Sequence, residues 1–159
     1  MLITVEGIDG AGKSTLVAGL ADALRDRDPA VLREPGGVEL AERLRALVKD
    51  PALTVGGRAE ALIYAAARAQ LVEERLRPLL EAGRLVLLDR FVDSSLAYQG
   101  AARELGIDQV LAINEFGTGG LRPDVTLLLR IDPQTGRSRQ GTRGEEQDRL
   151  EREPDEFFT

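Results

Sequence analysis

Hydrophobic positions in this chain follow two rhythms. Three short unbroken runs, Leu2 to Val5, Leu85 to Leu88 and Val125 to Leu129, read as strands covered on both faces. Continuous rather than alternating hydrophobicity is what a parallel sheet between helices requires. Ala30-Val31-Leu32 is a fourth, weaker candidate. Elsewhere the apolar residues recur at helical spacing. Lys13 to Arg25 carries Leu16, Leu20 and Leu24, and Val38 to Val48 carries Leu40, Leu44 and Leu47, each set forming one apolar stripe. Ala59 to Glu81 predicts a long alanine-rich helix with a kink or restart at Pro78. Ser95 to Leu105 and Asp108 to Phe116 predict two more helices. Strand–helix alternation without a hairpin signal predicts an α/β fold, a doubly wound parallel sheet with helices on both faces, in one domain spanning 1–159.

The stretch from Pro133 to Glu153 breaks both rhythms, being dense in charge and poor in large apolar residues. Its composition is that of a solvated surface segment. With a polyanionic ligand nearby, the same arginines read as a lid.

Composition narrows the chemistry. Hydrophobic residues make up 43% and charged residues 30%, a globular balance. No apolar run approaches the roughly 18 residues of a membrane span. The chain opens directly on a strand pattern, without the basic region of a secretory signal, so a cytoplasmic location is expected. Cysteine and histidine are both absent, which excludes disulfides, thiolate zinc sites, cysteine nucleophiles and histidine bases. A net charge of −6 argues against a nucleic-acid partner. The available chemistry is that of Asp, Glu, Arg, Lys, Ser, Thr and backbone. Of the 21 basic residues only Lys13 and Lys49 are lysine, so each lysine asks for a reason.

Lys13 has one. Gly7-Ile8-Asp9-Gly10-Ala11-Gly12-Lys13-Ser14 fits G-x-x-x-x-G-K-[ST], after a strand and before a helix. The glycines let backbone N–H groups approach phosphate oxygens, and the helix adds its unpaired amides and positive dipole end. Lys13 offers a compact charge to the β- and γ-phosphates of ATP or GTP, and Ser14 a hydroxyl to Mg²⁺. Asp9, inside the loop, needs a facing cation or a hydroxyl donor. It reads as a neighbour of Mg²⁺, an acceptor for a substrate hydroxyl, or a loop-surface carboxylate.

At the end of the second clear strand stands Asp89-Arg90-Phe91. A strand-end carboxylate sits where doubly wound sheets bind ligands, and Asp89 is placed to hold Mg²⁺. Arg90 follows where a water-activating Glu would stand in a motor ATPase, and Asn114-Glu115-Phe116-Gly117 is no guanine motif. A cation beside Mg²⁺ suits a second anionic substrate. Absence of histidine agrees, because a phosphate acceptor is already anionic and needs no base. Phosphoryl transfer to a second substrate fits these features better than hydrolysis, and the composition permits a nucleoside monophosphate kinase.

Several segments together resemble thymidylate kinase of the bacterial type: Glu6 to Thr15, Arg33-Glu34-Pro35-Gly36-Gly37, Ala66 to Gln70, Asp89 to Phe91, Asp93 to Gly100, and Asp148-Arg149-Leu150-Glu151. The resemblance covers essentially the whole chain in the family's order. It implies transfer of the γ-phosphate of ATP to dTMP, giving dTDP for nucleotide biosynthesis, with Mg²⁺ and as a homodimer. It implies ATP contacts by Gly7, Ile8, Asp9, Gly10, Ala11, Gly12, Lys13, Ser14 and Thr15. It implies that Tyr64 stacks on thymine, that Arg68 hydrogen-bonds the base, and that Arg45 and Arg90 hold the dTMP phosphate. Arg33 and Glu34 border the acceptor site, and Ser95, Tyr98 and Gln99 contact base or sugar. The spacing is compatible: Tyr64 and Arg68 are four apart on one helix, and Ser95, Tyr98 and Gln99 share a helical face. Gly10 stands where some members carry a basic residue. Members with Gly there place the catalytic arginines in the lid, making Arg137, Arg143 and Arg149 the candidates. The family continues past Phe157 with a helix, a last strand and an adenine loop, so the last strand is expected to be absent from these residues. The other readings are a kinase for a different nucleoside monophosphate and a catalytically impaired nucleotide-binding module.

Overall fold

The computed structural model describes residues 1–141, 148–154 and 157. Among these, β1 (Leu2–Glu6), β2 (Ala30–Arg33), β3 (Val86–Asp89) and β4 (Val125–Leu128) form one sheet in the order β2-β3-β1-β4. Every pairing is parallel. The central strands are covered on both faces, as their unbroken hydrophobicity requires. Leu2, Val86 and Leu88 pack on one side with Ala41, Leu71 and Leu76. Val5 and Leu87 pack on the other with Val17, Leu16 and Leu20. The first side carries α2 (Glu39–Lys49), α3 (Gly57–Leu71) and α4 (Arg77–Glu81), and the second carries α1 (Lys13–Ala23). The doubly wound arrangement is therefore present.

Three expectations need correction. β4 was expected to be buried on both faces, yet Val125 is 41% and Leu128 63% exposed. The reason is position: among the described residues β4 is an edge strand paired with β1 alone. In α2 the inward residues are Ala41 and Val48, while Leu40 and Leu47 remain 47% and 46% exposed. Small side chains on the inner face let α2 lie close against α3, which turns the expected leucine stripe partly outward. The helix expected over Ser95 to Leu105 starts earlier and changes character. It is α5 (Val92–Ser95) followed by a wide π-helical stretch, Leu96–Ala102, in which the Arg103 N–H donates to the Tyr98 carbonyl.

The long helix over Ala59 to Glu81 exists, with its irregularity just before Pro78. A π turn over Val72–Leu76 joins α3 to α4. Proline lacks an N–H and its ring crowds the carbonyl four residues back, so a widened turn relieves the clash without breaking the helix. Beyond the sheet lie α6 (Ile107–Thr118) and α7 (Pro133–Gly141). No described helix is long and apolar enough to cross a membrane.

The sheet's polarity positions everything that follows. Val5 is in register with Asp89, and Asp89 with Arg33, so the loops after β1, β2 and β3 leave the same edge. Leu88, fully buried in a central strand, should lose about 2–5 kcal/mol of stability on Leu88→Ala. Leu128→Ala on the exposed edge should cost under about 1 kcal/mol. Urea unfolding of the two variants checks the contrast.

Candidate functional site

The loops at that edge enclose one cavity of about 440 Å³. Its floor is the phosphate loop between β1 and α1. Gly12 has φ +95°, a left-handed conformation open to glycine, and its turn starts α1 at Lys13. Lys13 is 7% exposed, and its ammonium donates to the Ile8 carbonyl at 2.9 Å and lies 3.6 Å from Asp9. Burial and the charge of Arg90 hold the Lys13 pKa below the usual lysine value. A nearby polyphosphate would favour its charged form. Gly10 faces α7 at close range: a Cβ there would lie 2.2 Å from the Gly136 carbonyl oxygen. The charge-dense segment thus begins as a helix seated on the phosphate loop.

Beside the floor stands the end of β3. The Ser14 hydroxyl donates to Asp89 Oδ2 at 3.2 Å, while Asp89 Oδ1 is buried with no hydrogen-bond partner. An orphaned carboxylate oxygen next to a hydroxyl is the donor set of a hard cation that keeps water and phosphate as its other ligands. Ser14 and Asp89 therefore fit Mg²⁺. Asp9 points elsewhere, accepting from Arg90 NH2 at 2.6 Å. Burial pushes the Asp9 carboxyl up, but Arg90 and Lys13 outweigh it and hold the pKa below the usual range.

Arg90 is the hinge between floor and wall. It has φ +71°, a sparsely populated conformation for a side chain of this size. Its guanidinium is held by Asp9, by Ser94 Oγ at 2.9 Å and by the face of Tyr98, 5.3 Å from the ring centroid. Glu6, a residue the sequence analysis assigned no role, braces this turn. Its buried carboxylate accepts from the Phe91 N–H at 2.7 Å and from Ser94 Oγ at 2.5 Å.

The wall comes from four segments. α3 supplies Tyr64 and Arg68, and Ser95, Tyr98 and Gln99 come from α5 and the π stretch after it. Arg33 and Glu34 come from the end of β2 and Arg45 from α2. Arg33 is fixed by Glu42 at 2.9 Å and, with Arg45, donates to the Pro35 carbonyl at 3.0 Å. Arg68 is 2% exposed and bonds Glu34, Ser95, the Phe91 carbonyl and Asn114. Glu34 Oε2 receives Arg68 Nε at 2.7 Å, and burial still pushes the Glu34 carboxyl up to about 7.

Most of the expected site residues thus share one cavity: Asp9, Gly10, Gly12, Lys13, Ser14 and Thr15 on the floor, with Asp89, Arg90 and the wall residues above. Gly7, Ile8 and Ala11 shape the loop without lining it. Two lid candidates are engaged elsewhere. Arg137 donates to the Glu153 carbonyl, and Arg149 to Glu60 and the Val48 carbonyl. Arg143 lies outside the described residues. Lys49, Asp148, Leu150 and Glu151 also line the cavity, and Arg139 donates to the Gly10 carbonyl at 3.2 Å. The rarity of lysine singles out Lys49, and Asp148, Leu150 and Glu151 belong to a family-like segment, but none of the four carries an expected role from sequence.

Glu34 makes the site's stability depend on pH. A carboxyl whose pKa rises from 4.5 to about 7 on folding binds its proton more tightly in the folded chain. Its stabilising contribution is present below pH 4.5 and is lost as pH rises through about 7. The unfolding free energy of the wild type minus that of Glu34→Gln should therefore fall between those two pH values. A difference independent of pH would refute the assignment.

A family model described as thymidylate kinase matches residues 5–159. A thymidylate kinase from Geobacillus thermodenitrificans is 55% identical over 137 residues, which cover 84% of this chain and 61% of that protein. One from Halalkalibacterium halodurans is 50% identical over 155 residues, covering 95% of this chain and 74% of the relative. For one from Bacillus licheniformis the figures are 50% over 139 residues, 86% and 66%. The chain therefore spans between 61% and 74% of these relatives' length. The crystal structure of thymidylate kinase from Ehrlichia chaffeensis matches with a TM-score of 0.78 at 32% identity, covering 87% of this chain and 77% of that one. Sequence and backbone agree over most of the length, and the chain belongs to the thymidylate kinase family.

Proposed function

We propose that this chain transfers the γ-phosphoryl group of ATP to dTMP, giving dTDP and ADP, as a Mg²⁺-dependent kinase of the cytoplasmic nucleotide pool. The observation that carries this reading is the single cavity in which Arg90 joins the phosphate loop, through Asp9, to a polar wall. A hydrolase needs only the floor. A second, arginine-lined compartment beside it suits an anionic acceptor.

An oxygen of the dTMP phosphate attacks the γ-phosphorus as the bond from that phosphorus to the β-phosphate oxygen breaks. The acceptor is already ionised at neutral pH, so no base is required, consistent with a chain lacking histidine. Catalysis is then positioning and charge neutralisation. Lys13 and the loop amides hold the donor phosphates. Arg90, fixed on three sides, and Arg45 hold the acceptor phosphate. Tyr64 covers one face of thymine, while Arg68, Ser95 and Gln99 meet its edge. Tyr98, stacked on Arg90, crowds the sugar. Ser14 and Asp89 would hold Mg²⁺, which when bound neutralises charge on the β- and γ-oxygens. Charge developing between the nucleotides is met by lid arginines. Arg139 of α7, which donates to the Gly10 carbonyl of the phosphate loop, joins Arg137 and Arg143 as a candidate for that role.

A homodimer belongs to the same reading. Phe116 on α6 is 91% exposed and Leu62 on the neighbouring α3 is 57% exposed, with Leu40 and Leu47 on α2. A second copy of the chain would cover such apolar side chains.

A coupled assay of ADP release from Mg-ATP tests the function. Turnover should appear on addition of dTMP and be much weaker with dCMP or dGMP. Arg90→Ala and Lys13→Ala should each lower kcat by about 10²–10³-fold. ADP release that dTMP does not stimulate would sink the reading.

A further inference from the structure

Glu60 lies one helical turn before Tyr64 and two before Arg68 on α3, with 0% of its surface exposed. A carboxylate survives such burial only when donors surround it. Gln99 Nε2 donates to Oε1 at 2.9 Å, and Arg103 reaches Oε1 with Nε at 3.3 Å and Oε2 with NH2 at 3.0 Å. Arg149 NH2 donates to Oε2 at 2.6 Å. Arg103 also binds Glu153 at 2.5 Å. The donors come from two structures. Gln99 stands on the π stretch that walls the cavity, whereas Arg149 belongs to residues 148–153, the end of the charge-dense, lid-like stretch. That segment is tied further by Arg149 Nε to the Val48 carbonyl at 2.9 Å, by the Arg149 N–H to the Lys49 carbonyl at 3.2 Å, and by the Lys49–Asp148 ion pair. Asp148, Leu150 and Glu151, flanking Arg149, line the cavity.

We infer that Glu60 is a positioning residue of the acceptor site, clamping residues 148–153 over the cavity through Arg149 while the same carboxylate holds the Gln99 amide on its wall. The inference rests on the dTMP kinase reading above. Cover and wall become one unit, because both hang on a single pair of oxygens. The cluster is electrically balanced, with Arg103 and Arg149 against Glu60 and Glu153. Removing the Glu60 charge leaves two guanidinium groups facing each other. The donors also keep Glu60 ionised: burial pushes its pKa up, but its hydrogen bonds from Arg103, Gln99 and Arg149 bring it below the usual range. In this arrangement Arg149 acts through Glu60, by fixing its neighbours over the acceptor, and does not touch the transferred phosphate.

Glu60→Gln in the full chain should raise KM for dTMP by about tenfold or more, change kcat by less than about threefold, and leave KM for ATP unaltered. Arg149→Ala should give the same split, and the double variant should be no worse than either single one. A merely structural loss would lower the active fraction and kcat while leaving both KM values in place. If Arg149→Ala collapses kcat with KM for dTMP unchanged, Arg149 touches the reacting phosphates and the proposal falls. Amide hydrogen exchange of residues 149–153 without nucleotide tests the clamp apart from activity. Exchange should be at least about tenfold faster in Glu60→Gln than in the wild type. Unchanged exchange overturns the clamp whether or not the wild type phosphorylates dTMP. Failure of the wild type to use dTMP would refute the activity reading alone. Should Glu60→Gln not fold, Arg149→Ala, which leaves Glu60 with Gln99 and Arg103, supports the same two measurements.

Discussion

The side-by-side parallel pairing of β1 and β3 is the constraint from which the site follows. Parallel neighbours release their following loops at the same edge, so the phosphate loop after β1 and Arg90 after β3 emerge together. The pairing continues past the strands themselves, the Arg90 N–H donating to the Val5 carbonyl at 3.0 Å, and the Glu6 side-chain carboxylate extends it by accepting the Phe91 N–H. The Asp9–Arg90 ion pair then closes the gap between the two loops. The phosphate loop and Arg90 are thereby held by sheet hydrogen bonds and by the ion pair between them. For a reaction whose catalysis is mostly placement, rigidity of this kind is worth more than any one side chain.

The same architecture forces charge indoors. Glu6, Glu34, Glu60, Lys13 and Arg68 are all buried, and each desolvated ion is costly unless a partner or donor meets it. They are met in different ways. Glu6 is braced by a backbone N–H and a hydroxyl, Glu60 by two arginines and an amide, and Glu34 by Arg68 with one oxygen unpartnered. The carboxyl with the fewest donors is the one driven up to about 7. Burial pushes both carboxyls up; at Glu34 the single partner Arg68 offsets it only in part, whereas at Glu60 the hydrogen bonds from Arg103, Gln99 and Arg149 outweigh it. The pocket's electrostatics are accordingly set by the balance of burial against hydrogen-bond supply.

Much of this was legible in the chain itself. Strand–helix alternation located the four strands of the described residues, and the spacing of Gly7, Gly12, Lys13 and Ser14 located the floor of the cavity. Asp89 and Arg90 were legible because strand ends are where such sheets place ligands. The cavity wall was legible only through family likeness, since helical spacing says which residues share a face and not which face a cavity will choose. The leucine stripe of α2 failed for that reason. Periodicity marks an apolar direction, but packing against α3 selected Ala41 and Val48. β4 failed because a hydrophobic run does not reveal whether a strand has one neighbour or two. Glu60 carried a signal that went unused: it precedes Tyr64 and Arg68 at the same four-residue interval. Its partner Arg149 lies 89 residues away in sequence, beyond the reach of any local pattern.

The scarcity of lysine gains meaning from this geometry. A chain that uses arginine for nearly every positive charge has both its lysines on the lining of one cavity, Lys13 on the floor and Lys49 at the rim. Arginine's planar fork suits the roles it fills around them: bridging Glu34 to Ser95, Asp9 to Ser94, and Glu60 to the Val48 carbonyl. Each such role joins two or more fixed acceptors at once. Lysine offers a smaller and more mobile charge. Lys13 donates to the Ile8 carbonyl and lies beside Asp9, and its three N–H donors on a flexible stem can serve several acceptors in turn. Lys49 pairs with Asp148, on the segment that Arg149 and Glu60 anchor, and its charge also reaches Asp9. Where one cation joins several fixed acceptors this chain uses arginine, and it keeps its two lysines for the lining of the cavity.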